Sequence, residues 1–287
     1  MEYKKLLNGT KIPSLGLGTW KIGGEREAEY SKDEEEINSI KKAIEMGYTL
    51  IDTAEAYGNG HCEELIGKAI VDYKREDLFI VSKVAKTHLK YDQVISACKK
   101  SLASLGTDYL DIYLIHAPNH EVPIEETIEA MNTLVKEGYT KTIGLSMFSL
   151  ADLKKIQELS DAPIVAHQIE YSILSRNRGT YGDDVNMEKE LLPYHQKEGI
   201  ISMAVRPVER GLLITNEIVK EIAQRNGKTP AQVAINWLTT KEGVVAIPKA
   251  SKLEHLKDNL GVFGWELSKS DLDLLNTIKE IDNFEKV

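Results

Sequence analysis

Four side chains with complementary acid–base properties stand at strand-like intervals in the first half of the chain. Asp52 and Tyr57 lie five residues apart, astride the end of the apolar run Thr49–Ala54. Lys83 lies near the end of a second apolar run and His116 ends a third. A phenol has an ordinary pKa near 10, so Tyr57 alone is a weak proton donor at neutral pH. A neighbouring Lys83 ammonium would stabilise the tyrosinate, each unit of lowering corresponding to about 1.4 kcal/mol. Asp52 would keep Lys83 charged and orient it, and His116 can hydrogen-bond a carbonyl oxygen and fix its direction. Taken singly, each residue has a plainer reading: an Asp at a strand end as a turn former, a Tyr in a loop as a packed aromatic. Their occurrence together at consecutive strand ends is what points to proton delivery at a carbonyl.

Only some architectures bring such strand ends to one point. Short apolar runs at residues 15–19, 49–54, 78–84, 110–116, 142–147, 165–171, 200–205 and 244–248 read as strands, and amphipathic helical patterns separate them. Strict strand–helix alternation implies parallel strands joined by crossovers. Most of these runs are apolar throughout, as expected for strands covered on both faces. The count of eight predicts one (β/α)₈ barrel domain over residues 1–287, with active-site residues at the C-terminal strand ends. An N-terminal β-hairpin is expected over 1–13, with Asn8-Gly9 as a type I′ turn. Asp33 reads as the N-cap of the first helix, and extra helices are expected after the eighth strand, near 252–260 and 268–281. The polar stretch 175–186 is expected to be a loop at the barrel mouth, either a lid or a plain surface loop.

Composition narrows the function classes. Of 287 residues, 42% are hydrophobic and 28% charged, as in an ordinary soluble globular protein. The formal net charge of −9, with Lys and Arg scattered among acidic neighbours, argues against nucleic acid or an anionic membrane as partner. No apolar stretch approaches a membrane span, and Cys62 and Cys98 form neither a disulfide framework nor a CxxC site. A cytoplasmic protein is expected. His61-Cys-Glu-Glu64 lacks HExxH spacing and reads as the acidic first turn of a helix, so no metal site is expected.

The chain resembles an aldo-keto reductase of prokaryotic type over nearly its full length. The resemblance is carried by Leu15-Gly-Leu-Gly-Thr-Trp20, Ile51-Asp-Thr-Ala-Glu-Ala-Tyr57-Gly, Ile80-Val-Ser-Lys83 and Asp111-Ile-Tyr-Leu-Ile-His116. It continues in Ile143-Gly-Leu-Ser146, Gln168-Ile-Glu-Tyr171 and Ile247-Pro-Lys249. It implies Asp52, Tyr57, Lys83 and His116 as a catalytic tetrad, with Tyr57 the general acid in reduction. It also implies an NAD(P)H-dependent, reversible reduction of aldehydes or ketones by a monomer, and a nicotinamide cofactor bound without a GxGxxG motif.

By the same resemblance, NADP(H) is the first expectation and NAD(H) the alternative. Gly18, Thr19, Trp20 and Asp52 are assigned to the cofactor, as are Ser146 and Gln168 at the nicotinamide carboxamide. Arg206, Gly211 and Leu212 are assigned near the pyrophosphate, and Lys249, Ala250, Ser251, His255 and Asn259 to the adenosine phosphate. Trp20, Tyr57, His116 and Ala117 would line the substrate pocket. The chain departs from the family pattern in places. Met147 replaces an Asn after the Ser, His167 replaces an Asn before the Gln, and Val205 replaces a stacking aromatic. His255 stands where NADP-preferring members often carry Arg; a neutral imidazole cannot form the bidentate fork. A loosened nicotinamide grip motivates the alternative of a cofactor-binding sensor with little turnover.

Overall fold

Apolar runs without polar alternation become strands covered on both faces, and eight of them make the parallel (β/α)₈ barrel. The computed structural model describes residues 1–177 and 186–281, and its contacts divide the chain into two units.

The unit Leu17–His167 holds β3 (Leu17–Gly18), β4 (Leu50–Asp52), β5 (Phe79–Val84), β6 (Leu110–Ile115), β7 (Thr140–Ser146) and the start of β8 (Ile164–Glu170). Register is continuous: Gly18 lies opposite Asp52, Asp52 opposite Val81 and Lys83 opposite Leu114. Between the strands run α1 (Asp33–Glu45), α2 (His61–Ile70), α3 (Tyr91–Leu105), α4 (Ile124–Lys136) and α5 (Leu150–Leu159). Each buries one apolar stripe, such as Ile40, Ala43 and Ile44 of α1. Lys32, not Asp33, is the N-cap of α1, and no side chain caps that helix. The Asp33 carboxylate is bonded to His61 instead.

The second unit comprises Met1–Gly16 and the described part of the chain from Gln168 onward. It contains the hairpin β1 (Tyr3–Lys5) and β2 (Lys11–Pro13), then β9 (Ile201–Val205) and β10 (Val244–Ile247). Leu15 bridges Ala246 in parallel, the contact through which the first strand run meets the last. The hairpin turn is longer than a two-residue type I′ turn. Gly9 has positive φ but Asn8 does not; Gly9 N donates to the Leu6 carbonyl, and the Asn8 side chain accepts from Thr10 N at 3.0 Å. The Asn8 amide is thus spent on its own loop. After β8, a π-turn (Met187–Leu191) leads into α6 (Leu192–Glu198). Then come α7 (Leu212–Thr215), α8 (Glu217–Asn226), α9 (Pro230–Thr239) and, beyond β10, α10 (Leu253–Leu260) and α11 (Lys269–Asn276). Of the expected mouth loop 175–186, residues 178–185 lie outside the described ones. Among the described residues, no helix is long and apolar enough to cross a membrane.

Candidate active site

The chain places Asp52 at the last residue of β4, where Thr19 secures it: Thr19 Oγ1 donates to the Asp52 carbonyl at 2.8 Å. It then folds back through Tyr57 N, which donates to the Ala54 carbonyl at 3.0 Å, into a tight turn over Tyr57–Gly60. Gly58 there has φ of 54°, and a Cβ on it would collide with the Gly23 carbonyl oxygen. Only glycine fits. Lys83 lies near the end of β5, and His116 directly follows β6, its amide donating to the Val84 carbonyl at 3.0 Å.

All four expected tetrad residues belong to the unit Leu17–His167, and the structure links them through Tyr57. The fully buried Lys83 ammonium donates to Asp52 Oδ1 at 2.8 Å, to the Thr53 carbonyl at 2.7 Å and to the Tyr57 hydroxyl at 3.3 Å. His116 meets the Tyr57 ring edge-on, with centroids 5.7 Å apart. Trp20 meets it the same way at 4.9 Å. Trp20 is 37% exposed, which makes it a wall and not a core residue. Ala117 follows His116, half-buried.

The electrostatics correct one expectation. Burial pushes the Tyr57 hydroxyl above the ordinary phenol value; the Lys83 ammonium pulls it down, but Asp52 adds to the rise and the net shift is upward. Burial would likewise discharge Lys83, yet Asp52 and Tyr57 more than offset it and its pKa is raised. Burial, helped by the Lys83 charge, lowers His116 to about 3. The site therefore holds a neutral phenol, a charged ammonium and a neutral imidazole at pH 7. Such a set can donate two hydrogen bonds to one oxygen and deliver a proton from the phenol.

The residues assigned to the cofactor are placed as follows. In the unit Leu17–His167, Gly18 and Thr19 are buried beside Asp52, and Ser146 ends β7. Its hydroxyl is buried without a hydrogen-bond partner among the described residues. The next residue, Met147, has φ of 61°, a conformation that Asn tolerates better than Met. Phe148 N donates to His167 Nε2 at 3.3 Å, so the His that replaces an Asn fastens this turn.

In the second unit, Gln168 is buried in β8. Arg206, expected near a pyrophosphate, is paired with buried Glu170 at 2.5 Å. Arg206, Glu209 and Arg210 all have positive φ, backbone strain concentrated in one loop. The Gly211 amide, expected as an anion donor, is engaged by the Val208 carbonyl at 2.9 Å, and Leu212 is partly exposed at the start of α7. Lys249 Nζ donates to Ser251 Oγ at 2.9 Å beside buried Ala250; His255 is exposed on α10 and Asn259 buried.

Sequence reasoning missed two contributors. The Thr53 carbonyl takes one of the three Lys83 protons, and a backbone acceptor leaves no residue-type signal. Glu170 was legible as the one carboxylate in the apolar run of β8.

The pattern of the Aldo/keto reductase family matches residues 14–280. The chain is 35% identical to methylglyoxal reductase YeaE of Escherichia coli, over 92% of this chain and 90% of that one. A crystal structure of a thermostable aldo-keto reductase, Tm1743, with the inhibitor epalrestat superposes with a TM-score of 0.90 and 46% identity, covering 96% and 99% of the two chains. An aldo/keto reductase from Klebsiella pneumoniae crystallised with NADP and acetate gives a TM-score of 0.84 and 31% identity, covering 96% and 94%. By the family pattern over residues 14–280 and these full-length likenesses, the chain belongs to the aldo/keto reductase family.

Proposed function

We propose that this protein reduces small aldehydes or ketones to alcohols with NADP(H), Tyr57 serving as the proton donor. The observation that carries the reading is the buried Lys83 ammonium, whose three protons go to Asp52, Thr53 and Tyr57. Because the phenol oxygen accepts from Lys83, its own hydrogen is directed elsewhere, available to a carbonyl oxygen. Neutral His116 would orient that oxygen, and Trp20 and Ala117 would wall the pocket.

The orphaned, buried Ser146 hydroxyl fits a carboxamide, which offers both a donor and an acceptor. In this reading Ser146 and Gln168 hold the nicotinamide; Gly18, Thr19, Trp20 and Asp52 flank it. Arg206, Gly211, Leu212, Lys249, Ala250, Ser251, His255 and Asn259 serve its phosphates and adenosine. When bound, NADPH supplies the hydride. Related chains support this: one is a methylglyoxal reductase, another a glyoxal reductase of Bacillus subtilis, and Klebsiella pneumoniae members are crystallised with NADP or NADPH. Small 2-oxoaldehydes are therefore the substrate class to try first. The sensor reading is not favoured, because a binding module has no use for a phenol and an ammonium in this contact. The buried free thiols of Cys62 and Cys98 agree with a reducing, cytoplasmic setting, and we expect a monomer by sedimentation.

The test is steady-state NADPH consumption across a panel of aldehydes, with Tyr57→Phe as control. Wild type should exceed the variant on at least one carbonyl; equal rates on all of them would remove the enzymatic reading.

A further inference from the structure

His61 opens α2 four residues after Tyr57 and is only 3% exposed. Its Nδ1 lies 2.8 Å from Glu64 Oε2 and its Nε2 2.8 Å from Asp33 Oδ1. A carboxylate only accepts hydrogen bonds, so both contacts require a proton on each ring nitrogen. That proton count fits an imidazolium tying the first turn of α1 to the first turn of α2.

Around this tie sits the loop that carries Trp20. Gly23 N donates to Glu36 Oε2 of α1 at 2.7 Å. The Gly23 Cα lies so close to His61 and Cys62 that a Cβ would meet their atoms at 3.0–3.1 Å. The Gly23 carbonyl faces Gly58, and Gly58 N donates to the Glu25 carbonyl at 3.3 Å. Trp20 leans on the Tyr57 ring. The loop is thus clasped between α1 and the turn that presents Tyr57.

We propose that His61 is a positioning residue for Tyr57: an imidazolium clamp between Asp33 and Glu64 that seats the Trp20–Gly24 loop on the Tyr57 turn and loosens when the ring loses its charge. A neutral ring keeps one proton, so one nitrogen lone pair must face a carboxylate, and that contact turns repulsive. Glu64, 53% exposed, is free to swing into water, whereas Asp33 is more confined. The groups facing the ring are Asp33 from α1, Glu64 from α2 and the Tyr30 ring at 4.4 Å; Glu36 of α1 holds the neighbouring Gly23 amide, and Lys100 of α3 approaches the preceding Gly60. Burial opposes the charge, but the two carboxylate bonds prevail and the imidazole pKa is raised, so the clamp opens at a higher pH than an ordinary histidine would lose its charge.

The catalytic consequence rests on the reading of Tyr57 as proton donor; the clamp itself does not. The test therefore pairs nitrogen-15 NMR of the full chain with kinetics. The His61 ring should titrate above the ordinary histidine value with both nitrogens protonated below its midpoint, and the Trp20 contribution to fluorescence, taken against Trp20→Phe, should follow the same midpoint. Asp33→Asn should move that midpoint and an alkaline step in kcat together toward lower pH. His61→Gln, which reaches one carboxylate at most, should lower kcat about tenfold with KM little changed and erase the step. A His61 midpoint at or below the ordinary histidine value, or an activity step that stays in place when Asp33→Asn moves the NMR midpoint, would overturn the proposal. If wild type reduces no carbonyl while the NMR and fluorescence midpoints coincide, the clamp stands and the reductase reading fails.

Discussion

Lys83 Nζ stands 3.3 Å from the Tyr57 hydroxyl oxygen with its other two protons committed to Asp52 and the Thr53 carbonyl. This arrangement assigns direction as well as charge. The phenol oxygen is an acceptor toward Lys83, so its hydrogen lies on another side of the oxygen. Asp52 contributes by holding the ammonium charged inside a buried site, where an unpaired one would be discharged.

Removing the phenol hydroxyl should remove proton delivery and little else. Tyr57→Phe is expected to lower kcat for carbonyl reduction by about 10²–10⁴-fold while leaving NADPH affinity within a few-fold. Stopped-flow turnover and fluorescence titration of the cofactor separate the two effects. A parallel collapse of binding would place Tyr57 in the cofactor site instead.

The balance of forces on Tyr57 predicts signs for its neighbours. Its hydroxyl should ionise above the ordinary phenol value of 10.0. Lys83→Met removes the group that pulls this pKa down and should move it further up. Asp52→Asn removes the partner that holds Lys83 charged, so the phenol loses the ammonium's larger pull and should also move up. Carbon-13 NMR of tyrosine labelled at Cζ reads each titration directly, and ionisation below 10 in wild type would refute the dominance of burial.

Glu63 is a buried carboxyl of α2 that accepts from Ser82 Oγ at 2.5 Å, and burial raises its pKa from 4.5 to about 7. A folded-state pKa above the unfolded one means that the native state holds its proton more tightly. Stability is then greatest below the unfolded value and declines as pH rises toward 7. Glu63→Gln keeps an acceptor for Ser82 without the charge. It should stabilise the protein at pH 8, by roughly 3 kcal/mol at most, and have little effect at pH 4. Urea unfolding at the two pH values tests this; an equal gain at both would exclude ionisation as the cause.

Met147 occupies a left-handed conformation that costs a non-glycine residue on the order of 1 kcal/mol, and Asn tolerates it best among residues with a side chain. Met147→Asn should therefore raise unfolding free energy by a large part of that amount and tighten NADPH binding by adding a polar group beside Ser146. Unchanged stability would mean that the Met side chain recovers the strain through packing.

In the proposed adenosine region, His255 is exposed on α10 and adds no planar fork. His255→Arg is expected to raise the ratio of kcat/KM for NADPH over NADH several-fold. A constant ratio would take this position out of the 2′-phosphate contact.

The strand runs, their order and the strand-end placement of Asp52, Tyr57, Lys83 and His116 were legible in the residues, because period, apolarity and spacing are local properties. Strand ends came out within a few residues: the first run, read as 15–19, pairs as β3 only over Leu17–Gly18. The hairpin turn was misjudged because Asn8 adopts no positive φ and spends its amide on Thr10. Asp33 had the composition of an N-cap, but His61, distant in sequence and adjacent in space, claimed its carboxylate. The same limit governs the chemistry. Residue types alone showed that Lys83 would lower the Tyr57 pKa; how much surface water the fold removes from that phenol is a three-dimensional quantity, and its desolvation outweighs the ammonium. Arg206 likewise had the charge for a phosphate, yet β8 sets Glu170 against it. The candidate reacting groups can be read from the sequence because each is a residue type at or just after a strand end. Their protonation and their partners were decided by the tertiary structure, because burial and through-space pairing join residues that the chain keeps far apart.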